Sequence, residues 1–418
     1  MGKERFREIS ASVYAWDLYD EGVENVLEQL QKRANVNSVY LVGLMHEERH
    51  PWPESTVFPH NPNRKEYQTE DSAAFWKVDR ARYGRICPNV PTDFLAGTDW
   101  LEVLIREAKK RKMKVGVELS HTWVDHRRLE NELSDLCQKD IFGRPLVKTH
   151  IGEKHRVPCL NHPDFQAYAR NLVRELAENY EIDYLMNCMM PYPMPAQYLL
   201  TEYEENFHPM AWMQDAPLLS GCFCEACQEK AKEQGKDLQK IAGKLLEYVK
   251  KEPPLTQTNL TETEGLMENP AMYEWLQFKR ASVTDFHRML TDEVRRINPK
   301  IEQRLNLYIT SHPEYAGIFG KDLAELYSSV RICCYLEHLH LPEMAEKKKK
   351  VLRKAQRSFE GCETLLSTIA VLPGSTPESI QEGIRASRAC GITSLALGHY
   401  DGAEFAMLDA VGSIAETD

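Results

Sequence analysis

Cys222, Cys224 and Cys227 lie in G-C-F-C-E-A-C-Q, a C-x-C-x-x-C spacing that lets three thiolates converge on one soft cation. A closed tetrahedral site needs a fourth donor. Cys159 in H-R-V-P-C-L-N-H-P is the best candidate, because it stands just upstream of a helix that should pack nearby. Structural zinc is the expected occupant. The opposing reading is a set of reduced, buried cysteines in a tight helix-entry turn. The other seven, Cys87, Cys137, Cys188, Cys333, Cys334, Cys362 and Cys390, show no paired spacing. The opening M-G-K-E-R-F-R-E carries none of the apolar stretch that a secretory signal needs, so a reducing cytoplasm is the expected compartment.

Carboxylates and imidazoles form the second group. Glu118 and Glu337 each end a short apolar run, and they are the expected acid–base pair, one donating a proton and the other serving as base or nucleophile. Under period-two alternation Glu118 points away from the side taken by Val117 and Leu119. If those two face helices, Glu118 faces inward, where desolvation should raise its pKa and suit a general acid. Asp17, His46, His60, His121, Asn187, His399 and Asp401 are the expected substrate-binding polar groups. Trp76 offers an aromatic face of the kind that stacks on a sugar ring. Against this stands the plainer reading that such His and Asp residues cap loops and that Trp52, Trp76 and Trp212 only anchor their segments.

These residues need a scaffold that gathers strand ends. Eight short runs rich in β-branched or aromatic residues recur: Ser12 to Trp16, Ser38 to Leu44, Lys114 to Leu119, Asp183 to Cys188, Gln303 to Ile309, Val330 to Leu336, Leu365 to Leu372 and Thr393 to Gly398. Amphipathic helices are predicted at Glu21 to Lys32, Trp100 to Arg111, His162 to Tyr180, Tyr273 to Ile297 and Pro377 to Ala389, the last with Ser375 or Thr376 as cap and Gly391 just beyond. The pattern predicts an α/β fold, a (β/α)8 TIM barrel forming one domain over residues 1–418. Long insertions follow the second and fourth strands, at about 46–99 and 189–270, on the face where such barrels carry catalytic residues.

The net charge of −11 and a pI near 5.8 argue against a nucleic-acid partner. The basic run Lys347 to Lys350 reads as a solvated helix face. No apolar stretch is long enough to cross a bilayer, so no membrane partner is expected. Phosphate loops, dinucleotide fingerprints and nucleophile elbows are missing from the sequence, and no organic cofactor is expected. A homo-oligomer stays open.

The stretch R-V-P-C-L-N-H-P-D-F-Q-A-Y, then C-F-C-E-A-C, then W-L-Q-F-K-R-A-S-V-T-D-F-H-R-M-L with I-N-P-K resembles the zinc-containing microbial β-galactosidases of glycoside hydrolase clan A. The likeness covers roughly 156–306. It implies a (β/α)8 barrel with structural zinc on Cys159, Cys222, Cys224 and Cys227, and a carbohydrate substrate. The start of the chain, Y-A-W-D-L-Y-D-E-G through H-N-P-N-R-K, resembles uncharacterised barrels grouped with glycosyl hydrolases. The departures are specific. Where that family carries an Asn-Glu pair after its fourth strand, this chain has Asn187-Cys188, and where the family ends its seventh strand with a nucleophilic Glu, this chain has Leu372-Pro373. A nonstandard hydrolase, a metal-dependent sugar isomerase or lyase, and a noncatalytic carbohydrate-binding barrel therefore remain open.

Overall fold

The computed structural model describes residues 5–45, 60, 74–120, 123–141, 143, 145–150, 153–190, 192, 221–251, 270–308 and 313–417. Eight parallel strands close into a barrel: β1 (Glu8–Val13), β2 (Ser38–Leu44), β3 (Lys114–Leu119), β6 (Tyr184–Cys188), β7 (Glu302–Tyr308), β8 (Ser329–Cys333), β9 (Thr364–Ile369) and β10 (Ser394–His399). They neighbour one another in chain order, and β10 pairs with β1 to shut the ring. Two further strands, β4 (Val147–His150) and β5 (Glu153–Arg156), make an antiparallel hairpin outside it.

Alternation along each strand sorts side chains between two cores. Val39, Leu41, Val115, Val117, Leu185, Val330, Ile332 and Leu395 face outward and join the helices in the main hydrophobic core, while Tyr40, Tyr184 and Met186 form a separate cluster inside the ring. Gly116 makes room there, because a Cβ at that position would lie 2.2 Å from the Tyr184 ring. Toward the N-terminal end of the barrel the interior is ionic. Arg304 reaches Glu8 with Nη1 at 2.8 Å and Nη2 at 3.2 Å, takes Glu302 with Nη2 at 2.8 Å, and lies over the Tyr184 ring at 4.0 Å. Burial pushes the Glu8 carboxyl up, but Arg304 and then Lys114 bring it to a net value below the usual range.

The helix Pro377–Ala389 matches its predicted limits, with Thr376 and Ser379 forming reciprocal cap bonds and Gly391 just beyond at φ +73°. The strands β2 and β3 also match residue for residue. Three predicted runs are displaced. The first strand lies earlier, at Glu8–Val13, the sixth barrel strand stops at Cys333 rather than reaching Leu336, and the seventh stops at Ile369 rather than reaching Leu372. A third long insertion, after β3, was not foreseen. It contains the short helix His126–Glu130 and the hairpin, and it delivers Cys159 to the start of the helix Pro163–Asn179.

Candidate active site and metal centre

The four predicted ligand cysteines meet. Their sulfurs all lie within 4.8 Å of one another, and every one of the four residues is buried. Cys159 Sγ is 3.4 Å from Cys227 Sγ and 3.5 Å from Cys224 Sγ. Four thiolates around one ion at about 2.3 Å would sit about 3.8 Å apart, so the donor set fits a tetrahedral cation with little movement. Backbone and amide donors already point at the sulfurs: Lys139 N to Cys222 at 3.4 Å, Asn161 N to Cys159 at 3.4 Å, and Asn161 Nδ2 to Cys227 at 3.2 Å. Such donors are what thiolate ligands accept. Among the bare sulfurs, close contact with the other three holds the Cys224 thiol far below the usual range. Cys159 is held well above that range by the neighbouring Cys222, Cys224 and Cys227 sulfurs, and Cys222 chiefly by burial. The cluster can hold a metal ion. It lies against the long helix Pro270–Ile297, where Asn161 Nδ2 also donates to Ser282.

At the C-terminal mouth of the barrel, Glu118 points to the axis. Its Oε1 accepts Asn306 Nδ2 at 2.7 Å, and Arg331 Nη1 donates to Asn306 Oδ1 at 2.8 Å and to Cys333 Sγ at 3.3 Å. Cys333 also donates to Asn306 Oδ1, and Arg331 Nη2 donates to the Tyr335 hydroxyl. Burial pushes the Cys333 thiol up to about 11 and the Tyr40 phenol up to about 12, so both keep their protons at neutral pH. Glu118 and Asn306 are both buried, each at 6% exposure, slightly more than the 2% of Arg331. Cys188 faces the same interior, with Sγ 3.8 Å from Asn306 Nδ2.

A second polar group sits on the rim where β1 and β10 adjoin. After Val13 the chain turns at once into the short helix Ala15–Asp17. Asp17 Oδ2 accepts Tyr14 N at 2.8 Å, whereas its Oδ1 is buried with no partner. Burial, then the neighbouring Asp401 charge, holds the Asp17 carboxyl well above the usual range. A buried carboxyl that also feels a neighbouring carboxylate resists ionising. Around them, Glu21 Oε2 accepts the Tyr400 hydroxyl at 3.0 Å, and His60 places Nδ1 2.9 Å from Glu21 Oε1 and Nε2 3.0 Å from Tyr400 O. The His60 ring stacks on Phe405, and His399 stacks on Tyr14 with Nδ1 3.2 Å from Ser12 Oγ.

The raised Asp17 value has a consequence for stability. A carboxyl whose folded pKa exceeds its unfolded value favours the fold below about pH 4, and that contribution is lost as pH rises through the folded pKa. Asp17→Asn keeps an oxygen for Tyr14 N–H and removes this penalty. It should stabilise the protein by about 1–2 kcal/mol at pH 8 and by little at pH 4 in denaturant titrations. A variant no more stable than wild type at pH 8 would refute the raised Asp17 pKa.

Asp17, His60, His399 and Asp401 are thus brought together, and Glu118 stands in the mouth. Other predicted site residues lie elsewhere. Glu337 is not at the mouth. It is buried in the helix layer, where Oε1 takes Lys348 Nζ at 2.5 Å and Oε2 accepts Ala370 N at 3.0 Å. The cause is the early end of β8: the chain turns away after Cys333 and carries Glu337 over toward the helices Met344–Ser358 and Pro377–Ala389. Lys348, read as part of a solvated basic face, is fully buried and also donates to Cys334 O and Thr368 O. Asn187 alternates with Cys188 and so faces outward, with Nδ2 3.4 Å from the Tyr327 hydroxyl, which also meets His287 Nδ1 at 2.6 Å. Burial takes the His287 imidazole down to about 3, so it stays neutral there. Trp76 does not offer its face to the mouth, since it is buried and donates Nε1 to Glu175 in the helix Pro163–Asn179. His46 and His121 fall outside the described residues. Arg331, Tyr335, Tyr40 and Glu21 were missed, although a charged residue at an inward position of the apolar run V-R-I-C-C was visible in the sequence.

The sequence matches no protein-family model and no curated protein. Solved structures do match. The glycoside hydrolase domain of PgaB (BpsB) from Bordetella bronchiseptica aligns with a TM-score of 0.62 at 12% identity, over 98% of this chain and 99% of that one. The β-galactosidase from Rahnella sp. R3 aligns at 0.57 and 13% identity, covering 99% of this chain and 56% of that one. α-L-Fucosidase isoenzyme 2 from Paenibacillus thiaminolyticus aligns at 0.53 and 14% identity, over 99% and 49%. The chain therefore spans about half the length of the fucosidase and somewhat more of the β-galactosidase. What this chain shares with them is the fold, a closed barrel of eight parallel strands with helices between them.

Proposed function

We propose that the chain is a glycoside hydrolase cleaving a glycoside or small oligosaccharide with an acid–base set other than the usual clan A Glu pair. The observation that carries this reading is the contrast between two carboxyl environments on the same face. Glu118 accepts an amide N–H in the layer of a buried guanidinium, surroundings that suit an ionised carboxylate, whereas burial and the Asp401 charge hold the Asp17 carboxyl well above the usual range and favour its protonated form. Hydrolysis of an acetal needs that division, one group protonating the leaving oxygen and the other attacking or activating water. Glu118 is assigned the base or nucleophile role, in place of the acid role expected from burial alone, and the Asp17–Asp401 pair supplies the proton. His60 and His399 border the pair and are placed to bind sugar hydroxyls.

The ion at Cys159, Cys222, Cys224 and Cys227 is proposed to be structural zinc. Four thiolates leave no open position for substrate, so its contribution is to pin the insertion after β6 to the insertion after β3 and to the helix Pro270–Ile297. None of the eleven cysteines is in a disulfide, which supports a reducing, cytoplasmic setting. Among the described residues, no helix is long and apolar enough to cross a membrane.

A panel of aryl glycosides and oligosaccharides tests the reading. Reducing sugar should be released in the presence of a mild chelator, and the alkaline limb of the rate profile should disappear in Asp17→Asn together with most of the rate. Turnover that is lost on mild chelation and restored by a divalent ion would favour the isomerase or lyase reading. Thermal stabilisation by sugars without any turnover would favour a binding protein.

A further inference from the structure

We propose that Arg331 receives a carboxylate on the substrate, so that the mouth takes a sugar acid rather than a neutral hexose. The inference rests on the hydrolase reading for its sugar, but it stands on a separate feature. Arg331 is a guanidinium with 2% exposure inside the barrel, and all its hydrogen-bond partners are neutral: Asn306 Oδ1, Cys333 Sγ and the Tyr335 hydroxyl. Its Nε is buried and has no partner. Cys333 and Tyr335 are pushed up by burial and stay protonated, so neither neutralises it.

Arg304, on the adjacent strand β7, shows what a built-in partner looks like. That guanidinium meets both oxygens of Glu8 and one of Glu302, and Glu8 in turn is 3.4 Å from Lys114. The lower layer is therefore ionically closed, and the upper one is not. Apart from the Glu118 charge, which reaches it only across Asn306, Arg331 is set against neutral dipoles, and a buried cation so placed is costly unless an anion meets it directly. Among the described residues the nearest anion is Glu118, and Asn306 stands between them, its amide spent on Glu118 and its oxygen on Arg331.

The Nε and Nη2 groups of an arginine present parallel N–H bonds, the fork that a carboxylate takes with two hydrogen bonds. In Arg331 that edge carries only the Tyr335 hydroxyl. One guanidinium beside one carboxylate suits a monoanion, and a chain of net charge −11 suits a dianionic phosphate still less. A carboxylate seated there would lie one layer from Glu118, which places the acid group and the reacting carbon on the same ring.

Binding to the full-length protein tests this with pairs of ligands that differ only in charge. Glucuronate and galacturonate should bind at least about tenfold more tightly than glucuronamide, galacturonamide, glucose and galactose, and the preference should vanish in Arg331→Met and persist in part in Arg331→Lys. If Arg331→Met does not fold, the acid-to-amide ratio in the wild-type protein decides alone. Equal binding of acids and amides overturns the proposal, as does tighter binding of glucose 6-phosphate than of glucuronate. Turnover of 4-nitrophenyl hexosides but not of the matching uronides would sink the sugar-acid assignment and leave the hydrolase reading standing. Charge-selective binding with no turnover of either would do the reverse.

Discussion

Cys222→Ser or Cys224→Ser is expected to lose the bound ion and destabilise the protein by on the order of 5 kcal/mol or more, the largest effect of any single change on the fold. Four buried sulfurs within 4.8 Å repel one another once ionised, and only a cation allows the tetrahedron to keep its charge. The cluster also joins segments far apart in sequence. Cys159 stands near the end of the insertion after β3, while Cys222, Cys224 and Cys227 lie in the insertion after β6, with Cys224 capping the helix Glu225–Glu233 and Cys227 in its first turn. Metal analysis of the purified protein should find one zinc per chain. Stripping it with a strong chelator should lower the melting temperature and expose four further reactive thiols. A metal-free protein that melts where the wild type does would show the cysteines to be an ordinary reduced cluster.

Lys348→Met is expected to cost about 3–5 kcal/mol, because it leaves the Glu337 carboxylate buried without its counterion. The pair is fully enclosed. Lys348 uses its three N–H groups on Glu337, Cys334 O and Thr368 O, and Gly383 leaves the space the carboxylate fills, since a Cβ there would lie 2.1 Å from Glu337 Oε1. The double variant Glu337→Gln, Lys348→Met should recover part of the loss, since it removes both charges together. Denaturant titration gives both values. Because the pair lies outside the mouth, the folded fraction of each variant should keep wild-type turnover. Loss of activity without loss of stability in Glu337→Gln would return Glu337 to the catalytic set.

The contrast between Glu118 and Glu337 shows which features a sequence discloses. Val117-Glu118-Leu119 alternates cleanly within a strand of clear limits, so the inward direction of Glu118 follows from period two alone. The run V-R-I-C-C-Y-L stays apolar past Cys333, where the chain has already turned, and no local pattern marks that turn. Strand β1 was misplaced for a related reason. In E-I-S-A-S-V the inward positions are Glu8, Ser10 and Ser12, small or charged residues that make a buried strand look polar. Lys348 shares the inner face of its helix with Met344, Leu352 and Ala355 at spacings of four, four and three, which is visible in the sequence, yet only packing shows that a lysine among four is the buried one. The cysteine cluster was legible because three of its ligands are local. The Asp17–Asp401 pair was legible only as two separate strand-end acids, since the closing contact of β10 with β1 joins them across nearly the whole chain.

The most direct test of the catalytic assignment is kcat/KM for Glu118→Gln on the best glycoside substrate, beside a melting curve of the same preparation. A fall of about 10³-fold or more with an unchanged melting temperature is the expected result, because the amide fills the same space beside Asn306 but can neither attack nor take a proton. A folded Glu118→Gln protein that turns over substrate at the wild-type rate would contradict it.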